Sequence, residues 1–244
     1  MSDVPPKDPP DEPPDTRRRW KKPKEAAGVG RAMTLNTKDL KKKRSSREWI
    51  QRQINDPYVR RAAADGWRAR SAYKLTELDD RFHLIARGLR VCDLGAAPGG
   101  WAQVALHRGA ARVVGIDLLD MDALDGAIFL KMDFLDAGAP QALLDALGGA
   151  PDIVLSDMAA NTTGHRQTDQ IKTGALAEAA ALFALNVLAP GGAFVTKAFQ
   201  GGLDAALLAQ LKARFTEVRH AKPPASRPES PETYVVAKGF KGRD

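Results

Sequence analysis

The run Val91-Cys-Asp-Leu-Gly-Ala-Ala-Pro-Gly-Gly-Trp101 joins an apolar, strand-like stretch to a glycine-rich turn that opens a helix. In chains that alternate strands and helices, ligands bind at the carboxyl ends of such strands. The pattern here is G-x-x-x-G-G, whereas a dinucleotide site wants G-x-G-x-x-G, whose glycines let a pyrophosphate approach a helix N-terminus. A nicotinamide or flavin cofactor is therefore disfavoured. Glycines in this turn would instead let the backbone approach a phosphate-free cofactor such as S-adenosylmethionine, with Gly95, Gly99 and Trp101 as candidate contacts. Asp93 would either fix the loop or face the cationic amino-acid end of that ligand. Asp117 closes the next apolar run, where a carboxylate can accept hydrogen bonds from both ribose hydroxyls. Asp133 follows the third run, near where an adenine amino group would need an acceptor; either aspartate could equally cap a helix.

Short apolar runs at Leu89–Leu94, Arg112–Asp117, Ala127–Leu130, Asp152–Ser156 and Ala193–Lys197 read as the strands that position these residues. Helices are expected near 99–108, 139–147, 169–188 and 203–213, and this alternation implies a mostly parallel sheet covered on both faces. Phe215–His220 and Tyr234–Ala237 follow without a further long helix and suit an antiparallel ending, making seven strands in all. Upstream, Trp49, Ile54, Tyr58 and Val59 recur at near-helical spacing, interrupted at Asp56-Pro57, and a second helix is expected from Ser71 with Tyr73, Leu75 and Leu78 in it.

The 244 residues carry a net charge of +7, unevenly spread: residues 1–47 hold 14 basic and 7 acidic side chains, whereas 71–244 hold 18 and 20. Six prolines in the first fourteen residues and the clusters at 17–22 and 41–44 mark residues 1–44 as a disordered basic tail, with one folded domain over 45–244. A polycationic arm without an amphipathic apolar face suits a nucleic acid better than a membrane surface. Arg47, Arg60, Arg61, Arg68, Arg70 and the 41–44 cluster are the expected phosphate contacts. One cysteine excludes an intrachain disulfide, and four scattered histidines have no metal-ligand spacing, so no metal is expected. The N-terminus lacks an apolar leader and the apolar stretch 175–189 is broken by Glu178 and Asn186, from which a soluble, cytoplasmic protein without a membrane partner is expected. It is read as a monomer with no protein partner.

The segments Asp93–Trp101, Leu155-Ser-Asp-Met158, Pro190-Gly-Gly192, Phe194–Gln200 and Tyr73-Lys-Leu75 occur in the order found in FtsJ-type RNA ribose 2′-O-methyltransferases, which this chain resembles over about residues 45–240. It is most similar to the bacterial RlmE branch, which methylates a uridine of 23S ribosomal RNA in the large ribosomal subunit. The resemblance implies a doubly wound, Rossmann-like sheet that binds S-adenosylmethionine, also through Asp157, and a Lys-Asp-Lys-Glu catalytic set at Lys74, Asp157, Lys197 and Glu232. Two departures stand out: Ala160 replaces the usual proline before Asn161-Thr-Thr-Gly164, so that loop is expected to be more mobile, and the tail is longer than the few basic residues common in the family.

That set makes chemical sense. A ribose hydroxyl is a weak nucleophile until its proton is removed, so a base must stand beside it and an activated methyl group must be held in line. Lys197, in a partly desolvated strand with Lys74 nearby, is expected to have a lowered pKa, and Asp157 competes by pulling it back up. Glu232 would bond a lysine or the ribose, Lys74 would orient the nucleophilic oxygen, and Glu229 would be a bystander. Alternative readings are the same reaction on tRNA or another RNA, a non-catalytic ribosome-assembly factor, or a small-molecule methyltransferase.

Overall fold

The computed structural model describes residues 55–160, 165–199 and 203–242. Arg47, the 41–44 cluster, the tail boundary at residue 44, the helix foreseen around Trp49 and the loop 161–164 lie outside the described residues. In chain order the elements are α1 (Pro57–Ala64), α2 (Ala72–Phe82), β1 (Arg90–Leu94), α3 (Gly100–His107), β2 (Arg112–Asp117), β3 (Ala127–Lys131) and α4 (Ala139–Leu147). They continue with β4 (Ile153–Ser156), α5 (Arg166–Val187), β5 (Ala193–Phe199), α6 (Ala205–Arg214), β6 (Phe215–Ala221) and β7 (Glu232–Phe240). The helical pattern is interrupted at Asp56 as expected, Asn55 being helical and Asp56 extended, and the same residue starts the next helix: its carboxylate accepts from the Tyr58 amide and Pro57 opens α1, since proline's fixed φ and missing N–H cost nothing at that position.

The sheet runs β3-β2-β1-β4-β5-β7-β6, parallel through β5 and antiparallel where β7 joins β5 and β6. Side chains alternate between its faces. Cys92, Leu94, Val114, Ile116, Phe194, Val235 and Ala237 pack towards α4, α5 and α6. Val91, Val113, Ile153, Leu155, Val195, Tyr234 and Val236 pack with α2 and α3. Strands buried on both faces explain why they read as unbroken apolar runs rather than as alternation.

The same parity places the chemistry. Lys197 shares the face of Val195, Glu232 that of Tyr234 and Val236, and Asp157 continues past β4 on the side of Leu155. All three therefore meet α2, whose buried stripe of Leu75, Leu78 and Phe82 seats it on the sheet and carries Lys74 with it. Burying each of those three apolar side chains is worth about 1.5–3 kcal/mol, ample to fix the helix that delivers a lysine.

Candidate active site

The strand order reverses between β1 and β4, and sheets of this kind bind ligands in the crevice outside the carboxyl ends of the strands at that switch point. Gly95 has φ +74°, and a Cβ there would lie 2.6 Å from Met158 Cγ, so only glycine lets the loop after β1 rest against the segment after β4. Asp117 accepts from the amides of Ala97 (3.0 Å) and Leu119 (2.9 Å), bracing that loop while keeping a further lone pair on each oxygen. Asp133 accepts from the Leu135 amide at 2.9 Å in a local turn rather than capping a helix. Asp93 is 1% exposed and neither of its side-chain oxygens meets a hydrogen-bond partner. Burial, followed by the charges of Asp157 and Asp117, pushes it up to about 8.

The Trp101 side chain is buried, donates through Nε1 to the Ser71 carbonyl at 2.9 Å, and sets its ring 5.8 Å from that of Tyr234 at a tilted angle. An indole so placed contributes to the α2–α3 core, and what Trp101 can offer a ligand is its backbone at the first turn of α3.

Lys74, Asp157, Lys197 and Glu232 converge as a single cluster. Lys197 Nζ lies 2.9 Å from Asp157 Oδ1, donates to the Asp157 carbonyl at 2.9 Å, and lies 3.5 Å from Glu232 Oε2. Lys74 Nζ donates to Glu232 at 2.8 Å and lies 3.7 Å from Asp157 Oδ2. Glu229 is exposed and outside the cluster. Two groups that sequence reasoning left out complete it: the Tyr234 hydroxyl donates to Asp157 at 2.7 Å, and Ser226 Oγ donates to Glu232 at 2.8 Å. Tyr234 was within reach of strand parity, since it stands across the β5–β7 ladder from Lys197. Ser226 lies in an irregular loop, and no local pattern marks it.

Charge balance, not burial, governs the titration of this cluster. Burial works to lower the Lys197 pKa, but the Asp157 and Glu232 carboxylates outweigh it and hold the ammonium above its ordinary value. The expectation of a lowered pKa is thus reversed: two carboxylates within 3.5 Å do more than desolvation and a neighbouring lysine. Burial likewise works against ionisation of Asp157 and Glu232, and the two lysines overcome it, leaving both carboxyls below their usual range. Tyr234, fully buried beside these carboxylates, is raised well above the ordinary phenol value and remains a hydrogen-bond donor.

The arginines expected on phosphate divide into two groups. Arg60 is exposed, and Arg61 is half-exposed, paired with Asp65 at 3.3 Å and lying over the Tyr73 ring. Arg70 instead points inward, ion-paired with Asp56 at 3.1 Å and bonded to the Ala225 carbonyl, because the segment before α2 packs against the loop carrying Ser226. Arg68 is also engaged, with three backbone carbonyls. Among the described residues no group of three or more potential ligand side chains could hold a metal ion, and no helix is long and apolar enough to cross a membrane.

A model of the FtsJ-like methyltransferase family matches residues 67–240. Among curated proteins, the chain is 58% identical over 232 residues to a ribosomal RNA large subunit methyltransferase E of Mesorhizobium japonicum, covering 92% of this chain and 87% of that protein. It is 61% identical over 200 residues to the protein of that name from Sphingopyxis alaskensis, covering 82% and 87%. Among solved structures, a Plasmodium falciparum protein assigned as a ribosomal RNA methyltransferase superposes with a TM-score of 0.62 at 29% identity, over 72% of this chain and all of that one.

Proposed function

The chain belongs to the FtsJ-like methyltransferase family, and from that premise we propose that it transfers a methyl group from S-adenosylmethionine to the ribose 2′-hydroxyl of a uridine in 23S ribosomal RNA of the large ribosomal subunit. The observation that carries the reading is the convergence of Lys74, Asp157, Lys197 and Glu232 at the strand ends beside the glycine loop, in a chain 58% identical to a ribosomal RNA large subunit methyltransferase. The residues present fit the cofactor. Asp93 is a buried carboxyl whose oxygens meet no hydrogen-bond partner, and the cationic end of a ligand would favour its ionised form. Asp93, Gly95, Gly99 and the Trp101 backbone would hold the amino-acid end, with Asp117 at the ribose, Asp133 at the adenine and Asp157 near the sulfonium. When bound, S-adenosylmethionine supplies a methyl group already activated as a sulfonium.

The chain's own residues do the rest. Lys197, once neutral, takes the hydroxyl proton onto Nζ, and the Asp157 and Glu232 carboxylates stabilise the ammonium that results. Lys74 is anchored by Glu232 and directs its remaining donors at the oxygen that attacks. Tyr234 and Ser226 fix the rotamers of Asp157 and Glu232, so the geometry is set before substrate arrives. In this reading residues 45–244 act as one catalytic domain, monomeric and in the cytoplasm, with residues 1–44 as a basic tail.

Purified protein incubated with labelled S-adenosylmethionine and unmodified large subunits, small subunits, bulk tRNA or naked ribosomal RNA tests the reading, with Lys197→Ala as control. Label confined to a uridine ribose of large subunits and lost in the variant is expected. Label on tRNA would move the substrate, and cofactor binding without label on any RNA would favour an assembly role.

A further inference from the structure

Arg68, expected from sequence to meet phosphate, is spent on the cofactor side of the molecule. Its Nη1 donates to the carbonyls of Pro98 (3.3 Å) and Asp122 (2.8 Å), and its Nη2 to that of Ala123 (2.5 Å). Pro98 belongs to the glycine loop after β1, whereas Asp122 and Ala123 belong to the loop after β2 that begins beyond Asp117. The β1–β2 ladder ends at Leu94 and Ile116, so past that point the two loops depend on cross-links such as this one and the Asp117–Ala97 bond.

The arginine is itself held at both its backbone and its guanidinium. Its amide donates to Gln103 Oε1 at 2.9 Å, and Gln103 Nε2 returns a bond to the Gly66 carbonyl at 2.8 Å, so α3 clasps the segment 66–68. The guanidinium carbon lies 5.9 Å from the centroid of the Phe129 ring. Gly99, at φ +98°, would put a Cβ 2.9 Å from Nη1, so this glycine also makes room for the guanidinium to cross the loop.

We propose that Arg68 is a positioning residue for the cofactor: one guanidinium ties the glycine loop to the loop beyond Asp117 and sets the separation of the two lips between which S-adenosylmethionine lies. Five donors in a planar fork can serve carbonyls of two loops at once, which a lysine ammonium on its single tip cannot match. The arrangement also links the segment leading to Lys74 with the cofactor lips, so the two substrates' sites share a strut.

This inference rests on the cofactor reading above, and the test separates the two. S-adenosylhomocysteine is titrated calorimetrically into the full-length wild type, Arg68→Ala and Arg68→Lys, alongside filter binding of 23S ribosomal RNA at two salt concentrations and steady-state kinetics. Loss of the strut is expected to weaken S-adenosylhomocysteine about tenfold in Arg68→Ala and less in Arg68→Lys, the scale of one charged hydrogen bond. RNA affinity, its salt slope and kcat at saturating cofactor should stay unchanged while the cofactor KM rises. Unchanged S-adenosylhomocysteine binding in both variants overturns the proposal, as does weakened RNA binding with intact S-adenosylhomocysteine binding, which would make Arg68 a phosphate contact. Equal loss of both ligands in Arg68→Lys, with a lower melting temperature, overturns it too by reducing the role to general scaffolding. A wild type that binds no S-adenosylhomocysteine overturns the cofactor reading itself.

Discussion

Replacing Lys197 by methionine removes one cation from a buried cluster of two cations and two carboxylates. The side chain is only 9% exposed, and its ammonium meets Asp157 at 2.9 Å and Glu232 at 3.5 Å. Removing one partner of a buried ion pair costs about 3–5 kcal/mol, because the remaining charge stays desolvated. Here Lys74 still touches Glu232 at 2.8 Å and Tyr234 still donates to Asp157, so the lower end, about 3 kcal/mol near neutral pH, is expected. The loss must also depend on pH. In the wild type both carboxyls are held below their usual range, so their stabilisation is present above the unfolded values and is lost as pH falls through the folded ones. In the variant one carboxylate loses its main cation, burial dominates, and its pKa rises above the unfolded value, so stability is instead lost as pH climbs. The gap between the two proteins should widen from about pH 4 to about pH 7.5, read by urea unfolding of the ligand-free proteins. Lys197→Arg, which keeps the charge but cannot give up its proton, should recover most of the stability and none of the activity. A difference below about 1 kcal/mol at neutral pH, the size of an exposed pair, or a pH-independent one, would refute the view of Lys197 as the neutralising core of this cluster.

Three further outcomes follow from the same geometry. Because the free enzyme holds Lys197 above its ordinary value, kcat/KM should climb about tenfold per pH unit between about pH 7 and 9, and a plateau near neutrality would show that the base titrates lower than this. Ser226→Ala removes a buried donor from Glu232, and should lower kcat severalfold with RNA KM unchanged in steady-state assays, at a stability cost of about 1–2 kcal/mol. Asp93 is raised in the fold, so its contribution is intact below the unfolded carboxyl value and is lost as pH rises towards about 8. Ligand-free Asp93→Asn should therefore melt above the wild type at pH 8, lose that advantage below about pH 4, and bind S-adenosylhomocysteine more weakly.

Most of the sheet was legible because its strands are buried on both faces and punctuated by glycine and proline. The boundaries of β1 and β2 fall within one residue of those read from the apolar runs, and the antiparallel ending at β6 and β7 follows from the missing crossover helix. The tetrad was legible only through family resemblance, since Lys74 and Glu232 are 158 residues apart and nothing local announces their contact. That Arg68 and Arg70 are engaged within the fold was not legible: an arginine's sequence context reports its charge, but whether that charge meets water, a carboxylate or backbone carbonyls is decided by loops folding from elsewhere. The core placement of the Trp101 indole was not legible either, because a residue opening a helix after a glycine turn can face either the ligand or the core.

The carboxylates that make it possible to bury Lys197 also favour its protonated form, so in the proposed mechanism the ligand-free cluster would be idle as a base. Its formal charge is zero, with Asp157 shared between Lys197 on one side and the crevice of Asp93 and Asp117 on the other. Any cation admitted to that crevice competes for the same Asp157 charge. It weakens the interaction that holds the Lys197 pKa up, while burial continues to press it down. In the proposed mechanism, proton release from Lys197 would therefore be tied to occupancy of the neighbouring site through the shared Asp157 carboxylate. Asp157→Asn would cut that link: with the same shape but no charge to share, Lys197 should titrate lower in the free protein and its pKa should no longer respond to S-adenosylmethionine, whereas an undiminished response would place the coupling elsewhere.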